Sequence, residues 1–393
     1  MLQTVQPTAE PMLCWTEDGR TLQARWRSGA GLAPPARVVV ADDRMTADAA
    51  FRLASEGSAL LWRGDFQNAR QLLQAMARRV DRPPRVRKSA APGAPAGSVD
   101  AFNVWRQAQS RRARTLGMLL IPLAADYAIP LRRAPDLIAA CTEAYGPATA
   151  TATDSVVTLR EILGLIGAHE WRKKGVEVAA LGARIHPHYG VFAPVRSEYV
   201  DLVAAAPLPA GAALAFDIGT GTGVLAALLA QRGVAQVVAT DLDARALACA
   251  HDNIGRLDLA QRVTLLQADL FPPGRAPLVV CNPPWLPARP TSPLEHAVYD
   301  PDSRMLRGFL DGLAAHLTPG GEGWLILSDL AEHLGLRSRA ALLAMIDAAG
   351  LAVLARADIR PRHPRAMDAA DPLHAARAAE VTSLWRLGVA AHG

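Results

Sequence analysis

Cysteine is scarce in this chain of 393 residues, and the four that occur are widely separated. None belongs to a C-x-x-C pair or stands near a pair of histidines, so neither a disulfide framework nor a zinc site is indicated. We expect all four to be small core residues, and we expect no bound metal. They are Cys14, Cys141, Cys249 and Cys281.

Long apolar runs are also absent. Half of the residues are hydrophobic, but no uninterrupted run approaches the ~20 residues that a membrane-spanning helix needs. Residues 1–7 lack the basic region and the apolar core of a secretory signal. We therefore expect a cytoplasmic protein without a membrane partner. The length of the chain predicts two or three domains, each able to bury a core.

The sequence from residue 212 to 229 predicts a strand, a tight turn and the start of a helix. An apolar run ends in Asp217, glycines follow at positions 219, 221 and 223, and apolar residues at helical spacing come next. Glycine tolerates positive φ and lets a ligand approach the backbone N–H groups at the helix start. Val224 stands where the dinucleotide fingerprint G-x-G-x-x-G requires glycine, so NAD and FAD are disfavoured.

A second predicted strand, residues 237–240, is followed by Asp241, twenty residues after Gly221. A carboxylate at this place can accept hydrogen bonds from two ribose hydroxyls. The glycine turn and this acid together predict a ligand that has one ribose and no pyrophosphate.

Four motifs in order resemble those of class I S-adenosylmethionine-dependent methyltransferases. They are D-I-G-T-G-T-G at 217–223, T-D-L-D at 240–243, A-D-L-F at 268–271 and V-C-N-P-P-W at 280–285. The last motif is similar to that of the Asn-Pro-Pro-aromatic group: release-factor glutamine methyltransferases of the HemK type, adenine-N6 enzymes and rRNA guanine-N2 enzymes. The resemblance covers roughly residues 185–330, just over a third of the chain. It implies S-adenosyl-L-methionine as the cofactor.

The same resemblance implies roles for individual residues around the cofactor. Asp217 is expected to orient the glycine turn and the methionine amine, Asp241 to bind the ribose, and Asp269 to accept a hydrogen bond from the adenine amine. The expected cofactor-binding residues are Asp217, Gly219, Gly221, Gly223, Asp241, Leu242, Asp269, Leu270 and Asn282.

The predicted catalytic loop is Asn282-Pro283-Pro284-Trp285. The nitrogen of an amide or exocyclic amine is a poor nucleophile because its lone pair is delocalised. A site can promote its methylation by accepting hydrogen bonds from both N–H groups, so that the lone pair faces the methyl. The Asn282 side-chain oxygen and the Pro283 carbonyl can accept these bonds. Trp285 offers a flat face to a base or a planar amide.

Alternating strands and helices after residue 184 predict a doubly wound, mostly parallel, Rossmann-like methyltransferase sheet with the motif loops at its C-terminal edge. Residues 184–393 are therefore predicted to be the S-adenosylmethionine-binding catalytic domain. Before it we predict a small α/β domain in residues 1–80, a linker rich in Pro, Gly and Ala in residues 81–98, and a helical region in residues 99–183. HemK-type enzymes keep a substrate-recognition domain at the position of this helical region.

Charge divides unevenly along the chain. Residues 1–197 carry 26 Lys and Arg against 17 Asp and Glu, a net charge of +9, whereas residues 198–393 carry 16 against 20, a net charge of −4. A basic half favours contacts with phosphates, and such charge runs also occur on ordinary solvated surfaces. We therefore predict an N-methyltransferase that acts on a planar NH2 group in RNA, above all rRNA.

Three alternatives remain open from the sequence. The first is a HemK-type methyltransferase of protein Gln or Lys, which would keep the acceptor within the translation machinery. The second is a small-molecule methyltransferase, and the third is a non-catalytic module that binds the cofactor or RNA. An intact Asn282 beside intact glycines argues against the third, because a scaffold has no use for both. The sequence indicates no oligomeric state.

Overall fold

The computed structural model describes residues 11–82, 99–290, 295, 297–361, 368 and 371–390. The chain forms two compact units. The first comprises residues 1–92 and 106–170, and the second comprises residues 93–105 and 171–393, each taken over its described part. Most of the predicted linker, from residue 83 to 98, lies outside the described residues.

A six-stranded mixed sheet forms the centre of the first unit, in the order β1-β2-β6-β5-β4-β3. Its strands are β1 (Met12–Glu17), β2 (Arg20–Trp26), β3 (Arg37–Ala41), β4 (Ser58–Trp62), β5 (Leu119–Leu123) and β6 (Ser155–Thr158). The helices are α1 (Ala47–Ser55), α2 (Phe66–Val80), α3 (Val99–Leu116), α4 (Ile138–Tyr145) and α5 (Leu159–Lys174). Helix α3 begins in the second unit, and α5 ends in it. Thr46 and Asp65 cap α1 and α2 by accepting hydrogen bonds from backbone N–H groups of the first turn.

The structure places three strands within residues 99–183, which we expected to be helical: β5 and β6 belong to this sheet, and a short strand, Val176–Val178, lies outside it. Strands β5 and β6 lie in the same sheet as the strands of residues 12–62, so the predicted α/β domain and much of residues 99–183 share one sheet. Four of the five residues of β5 and three of the four of β6 are buried. A short apolar run of this kind cannot be told from a helical segment by periodicity alone. It forms a strand here because neighbouring strands pair with its backbone.

The second unit contains a seven-stranded sheet in the order β11-β10-β9-β12-β13-β15-β14. The strands are β9 (Leu214–Ile218), β10 (Gln236–Asp241), β11 (Val263–Gln267), β12 (Ala276–Cys281), β13 (Leu317–Ser328), β14 (Leu351–Ile359) and β15 (Thr382–Val389); a separate hairpin consists of β7 (Val176–Val178) and β8 (Ala183–Ile185). The helices are α6 (Glu198–Ala205), α7 (Val224–Gln231), α8 (Ala244–Arg256), α9 (Arg304–His316), α10 (Leu330–His333), α11 (Arg339–Ala348) and α12 (His374–Ala379). Strand β15 runs antiparallel to both of its neighbours, β13 and β14, and the other neighbouring pairs among the described strands of this sheet are parallel.

Alternate residues of the central strands face two different cores. Ala215 of β9 and Val280 of β12 pack in the core that contains α6 and α7, whereas Phe216 and Cys281 pack in the core that contains α9 and α11. The sheet is thus covered on both faces, which confirms the predicted doubly wound α/β fold. Strand order reverses between β9 and β12, and ligands of such sheets bind at the carboxyl ends of the strands beside this point.

The cysteines follow the prediction in three of four positions. Cys141, Cys249 and Cys281 are buried, and burial raises the pKa of the Cys141 and Cys249 thiols to about 11. Cys14 is exposed, contrary to expectation, because it alternates with the buried Leu13 on the edge strand β1. No group of three or more His, Cys, Asp or Glu side chains within the described ranges could hold a metal ion. None of the described helices has the length and apolar character needed to cross a bilayer.

Candidate active site

The turn after β9 has the backbone conformation that its glycines predict. Gly219, Gly221 and Gly223 have φ values of +72°, +55° and +81°, in the region that side chains with a Cβ rarely adopt. Gly223 is the N-cap of α7. A Cβ at Gly223 would lie 3.2 Å from the Ala250 Cα, whereas a Cβ at Gly221 would meet no atom within 4 Å. Gly223 therefore lets α7 pack against α8, and Gly221 leaves open space beside the backbone.

Asp217 lies beneath this turn and is almost fully buried, with 1% of its surface exposed. Its Oδ2 atom accepts hydrogen bonds from the Thr220 hydroxyl at 2.7 Å and the Ala226 N–H at 3.0 Å. These contacts support the predicted role of Asp217 in orienting the turn. A contact between Asp217 and the methionine amine of the cofactor stays a prediction. Burial raises the pKa of Asp217 to about 6, and the two hydrogen bonds oppose this shift.

The raised pKa of Asp217 predicts a pH-dependent contribution to stability. An unfolded aspartate has a lower pKa, so folding binds a proton between about pH 6 and pH 4, and the folded state gains stability as the pH falls through this range. We expect the free energy of unfolding of the parent to rise by about 1 kcal/mol, relative to Asp217→Asn, between pH 7 and pH 5. Urea denaturation of both proteins at pH 7 and at pH 5 measures their free energies of unfolding. If the difference between the parent and Asp217→Asn were the same at both pH values, the raised pKa of Asp217 would be contradicted.

Asp241 ends β10 beside the glycine turn, because β10 pairs with β9 in parallel register. Its Oδ2 accepts a hydrogen bond from the Gly221 N–H at 3.0 Å, and its Oδ1 accepts one from the Asp243 N–H at 2.9 Å. Burial raises its pKa, and these backbone hydrogen bonds act in the opposite direction. Each carboxylate oxygen keeps a further lone pair. Asp241 is thus held in place by the backbone and can still accept from a diol.

The loop after β11 differs more from the expectation. Asp269 is exposed and forms an ion pair with Arg304, with Oδ2 and Nη2 2.6 Å apart. Leu270 has a φ of +76°, a strained value for a residue with a Cβ. The Thr240 hydroxyl donates a hydrogen bond of 2.5 Å to the Leu270 carbonyl oxygen and so holds Leu270 in this conformation. The role of Asp269 toward an adenine amine stays a prediction, and Arg304 would have to share the carboxylate.

The Asn-Pro-Pro-Trp loop follows β12, the neighbour of β9 on the other side. The Trp285 indole N–H donates a hydrogen bond of 2.9 Å to the Asn282 Oδ1, so the amide oxygen has a fixed direction. One lone pair of that oxygen remains for another donor. Arg337, which is 9% exposed, lies with Nη2 3.4 Å from the Trp285 carbonyl oxygen and holds the loop from behind.

One cavity of about 810 Å³ adjoins most of the predicted site residues. Its lining includes Gly219, Gly221, Asp241, Leu242, Asp269, Leu270, Asn282, Pro283 and Trp285. Leu242 is 59% exposed, which suits an apolar side chain that covers a ligand. Asp217 and Gly223 are not part of this lining and act behind the wall, through the turn and through helix packing.

Residues 182–339 match the family described as the methyltransferase small domain. The matched segment makes up about two fifths of the chain. The match confirms the predicted class of S-adenosylmethionine-dependent methyltransferases and, with it, the cofactor. It begins just before β8 and ends at the start of α11, so it covers the glycine turn, Asp241 and the Asn-Pro-Pro-Trp loop.

Curated proteins similar to the chain include two kinds of methyltransferase. The release factor glutamine methyltransferase of Cereibacter sphaeroides is 36% identical over 171 residues, which is 40% of this chain and 59% of that protein. The tRNA1(Val) (adenine(37)-N6)-methyltransferase of Shewanella loihica is 32% identical over 145 residues, which is 34% of this chain and 59% of that protein. The chain spans 59%, 41% and 49% of the length of three of the glutamine methyltransferases that it matches.

Solved structures similar to this chain include a methyltransferase from Pyrococcus furiosus, with a TM-score of 0.39 and 17% identity, over 58% of this chain and 98% of that one. Another is the SAM-dependent methyltransferase from Thiobacillus denitrificans in complex with S-adenosyl-L-homocysteine. It has a TM-score of 0.35 and 17% identity, over 49% of this chain and 90% of that one.

The cavity also has walls outside the methyltransferase small domain that the sequence did not reveal. Phe102 and Trp105 come from the start of α3, and Trp171 comes from the end of α5. Arg377 lies in α12, and Glu380 follows it. The one local signal was the pair of aromatics three positions apart in the otherwise polar sequence of α3. Such a pair predicts an apolar contact without naming its partner.

The open space at Gly221 allows a test of whether the cofactor binds against this turn. Gly221→Ala should lower the affinity for S-adenosylhomocysteine at least tenfold, because the new Cβ would occupy the space beside the backbone N–H groups. Gly182→Ala is a matched control: its φ is +60°, and its Cβ would also meet no atom. Both changes should cost about 1–2 kcal/mol of folding stability. Calorimetric titration and urea denaturation separate the two effects; equal affinities in the two variants would contradict the fit.

Proposed function

We propose that this protein is an S-adenosylmethionine-dependent N-methyltransferase that acts on a planar NH2 group in RNA. The observation that carries the proposal is that one cavity joins the glycine turn and Asp241 to an Asn282 whose side-chain oxygen is fixed in direction. The cradle fits the cofactor, because the space at Gly221 is open and the Asp241 carboxylate keeps free lone pairs. The bound cofactor supplies an electrophilic methyl on sulfur.

The residues of the loop prepare the acceptor nitrogen. The Asn282 Oδ1 accepts a hydrogen bond from one acceptor N–H with the lone pair that Trp285 leaves free, and the Pro283 carbonyl accepts one from the other N–H. Two such bonds favour the tetrahedral nitrogen of the transition state and direct its lone pair. The two prolines donate no hydrogen bonds and restrict the backbone of the loop, so the acceptor geometry is set before the acceptor arrives.

Residues 184–393 serve as the catalytic domain in this proposal, and residues 1–183 contribute to recognition of the acceptor. The excess of positive charge lies in residues 1–197 and suits a phosphate backbone. A similar protein whose name specifies adenine in tRNA supports a base as the acceptor. The similar glutamine methyltransferases support a second candidate, the amide of a protein glutamine, which offers the same planar NH2 group.

A methyl-transfer assay with tritiated cofactor tests both candidates on the full chain. Ribosomal RNA, transfer RNA, ribosomal proteins and release factors are offered separately, with the parent and with Asn282→Ala as the control. We expect label in RNA from the parent only, and an RNA affinity that falls steeply as salt is raised. Label in a release factor instead would establish the second candidate. Label in none of them, from a chain that binds S-adenosylhomocysteine, would contradict the translation machinery as the source of the acceptor.

A further inference from the structure

One arginine outside the four motifs lies against the catalytic loop. Arg196 stands between β8 and α6, and its Cζ is 5.5 Å from the centroid of the Trp285 ring. Arg196, Trp285 and Asn282 all line the cavity. A guanidinium over the face of an indole is attracted by the π-electrons of the ring, and its flat shape matches the flat ring. Arg196 therefore limits the movement of Trp285 on that face.

A buried carboxylate holds the other end of Arg196. The Arg196 Nη2 is 3.0 Å from the Oε1 of Glu380, which is 1% exposed. The same Oε1 accepts a hydrogen bond of 2.7 Å from the hydroxyl of Ser328, the last residue of β13, and the Ser328 Oγ in turn accepts one from the Leu330 N–H at 3.0 Å. A charged carboxylate at this depth requires a cation beside it. The guanidinium is thus tied to the end of a strand of the sheet.

The Trp285 ring in turn controls the amide of Asn282. Its indole N–H donates a hydrogen bond of 2.9 Å to the Asn282 Oδ1. The oxygen and the NH2 group of an amide have nearly the same shape, so a neighbouring donor decides which of them faces a given direction. If the ring turned away, the amide could rotate and present its NH2 group to the methyl acceptor, whose own N–H groups would then be repelled. The position of the ring therefore decides whether Asn282 can accept a hydrogen bond from the acceptor nitrogen.

We propose that Arg196 is a positioning residue of the methyl-transfer site: it links the fixed carboxylate of Glu380 to the Trp285 ring and so keeps the Asn282 oxygen directed at the nitrogen that is methylated. The inference rests on the proposed function and adds to it a residue that none of the four motifs supplies. Arg196 acts through Trp285 and not by contact with the methyl acceptor. Its flat guanidinium, more than its charge, is the property that matters, so lysine should not replace it.

The indole N–H of Trp285 reports on this arrangement in the full chain without a methyl acceptor. The chain has eight tryptophans, and the indole signal that disappears from the proton–nitrogen NMR spectrum in Trp285→Phe belongs to Trp285. Arg196→Lys keeps the charge beside Glu380 but removes the flat group. We expect the Trp285 signal to shift and its exchange with solvent to be faster by about fivefold or more, because the hydrogen bond to Asn282 opens more often. An unchanged signal and an unchanged exchange rate would overturn the inference.

Arg339→Lys is a matched control that separates this effect from a general loosening of the fold. Arg339 also lies over a tryptophan, with its Cζ 5.3 Å from the centroid of the Trp385 ring, and its Nε is 2.6 Å from the Glu332 Oε1, but it does not line the cavity. Its substitution should leave the Trp285 signal unchanged. Equal changes of that signal in Arg339→Lys and Arg196→Lys would overturn the inference.

Glu380→Ala perturbs the same chain of contacts from its other end. The substitution keeps Arg196 but removes the carboxylate that holds it, so the Trp285 signal should shift and its exchange should accelerate as they do in Arg196→Lys. This variant keeps the test decisive if Arg196→Lys does not fold. A Trp285 signal that stayed at the parent position in Glu380→Ala would contradict the link.

Steady-state kinetics on the true acceptor distinguish a positioning role from a structural one. Turnover is counted per S-adenosylhomocysteine-binding site, so an unfolded fraction does not contribute. Arg196→Lys should lower the turnover number by about three- to tenfold and leave the KM of the acceptor and the S-adenosylhomocysteine affinity within about twofold. In the Trp285→Phe background the same change should lower turnover by less than about 1.5-fold, because the hydrogen bond that it supports is already absent. A full loss in that background would show that Arg196 does not act through Trp285.

The outcomes distinguish this inference from the proposed function. If the parent methylated one of the offered acceptors while Arg196→Lys matched Arg339→Lys in turnover and in the Trp285 signal, the proposed function would stand and the positioning role would be wrong. If the parent methylated none of them while the Trp285 signal responded to Arg196→Lys as expected, the proposed function would be wrong and the link from Arg196 to Trp285 would stand. The NMR comparison needs neither cofactor nor acceptor, so it decides the link by itself.

Discussion

Asn282→Ala should lower the turnover number by roughly 10²–10³ while the affinity for S-adenosylhomocysteine stays within about threefold of the parent value. The side chain is assigned to the acceptor nitrogen, and its oxygen is already oriented by the Trp285 indole N–H. Its removal should therefore weaken an interaction that is strongest in the transition state. Steady-state kinetics on the true acceptor, together with calorimetric titration of S-adenosylhomocysteine, measure the two quantities.

Substitutions at Trp285 provide the control for Asn282→Ala. Trp285→Phe keeps an aromatic face but removes the donor to Asn282, so turnover should fall by about two- to tenfold, the value of one ordinary hydrogen bond. Trp285→Ala removes the face as well, and the KM for a base acceptor should then rise by an amount equivalent to roughly 1–3 kcal/mol. Turnover by Asn282→Ala near the parent rate would refute the planar-amine mechanism and point to O-, C- or S-methylation.

Asp241→Ala should weaken S-adenosylhomocysteine binding by about 1.5–3 kcal/mol, roughly 10- to 150-fold. The substitution removes a charged acceptor for two hydroxyls and also releases the Gly221 N–H that Asp241 holds at 3.0 Å. Asp241→Asn keeps one oxygen acceptor and should lose less. Calorimetric titration of the parent, Asp241→Asn and Asp241→Ala with S-adenosylhomocysteine measures the three affinities, which should fall in that order.

Asp269→Ala is the informative comparison for Asp241→Ala. Asp269 is exposed and already paired with Arg304, so an exposed contact of this kind should change the affinity by no more than about fivefold. NAD should bind to none of these proteins, because Val224 replaces the third glycine of the dinucleotide fingerprint. If Asp269→Ala lost more S-adenosylhomocysteine affinity than Asp241→Ala, the ribose contact of Asp241 would not be the main polar contact to the cofactor.

The sequence by itself determined the class of methyltransferase and the doubly wound sheet, and it placed the predicted site residues at the carboxyl ends of neighbouring strands; their roles stay predictions. The glycine turn and Asn282 directly follow β9 and β12, and Asp241 is the last residue of β10. The carboxyl ends of these neighbouring parallel strands meet at one edge of the sheet. Local pattern was sufficient because each motif combines a strand, a turn and a polar residue within a few positions. The prediction of the ligand class followed from the same local chemistry.

Only the tertiary structure decided which distant segments complete the cavity. Phe102, Trp105 and Arg377 lie far from the motifs in sequence and meet Trp285 through the packing of α3 and α12 against the loop after β12. The periodicity of a sequence does not predict contacts between distant segments, because it indicates which face of an element is apolar and not which other element covers that face. The same reason explains β5 and β6: a short apolar run becomes a strand when a neighbouring strand can pair with its backbone, and that neighbour is set by the fold of the whole unit.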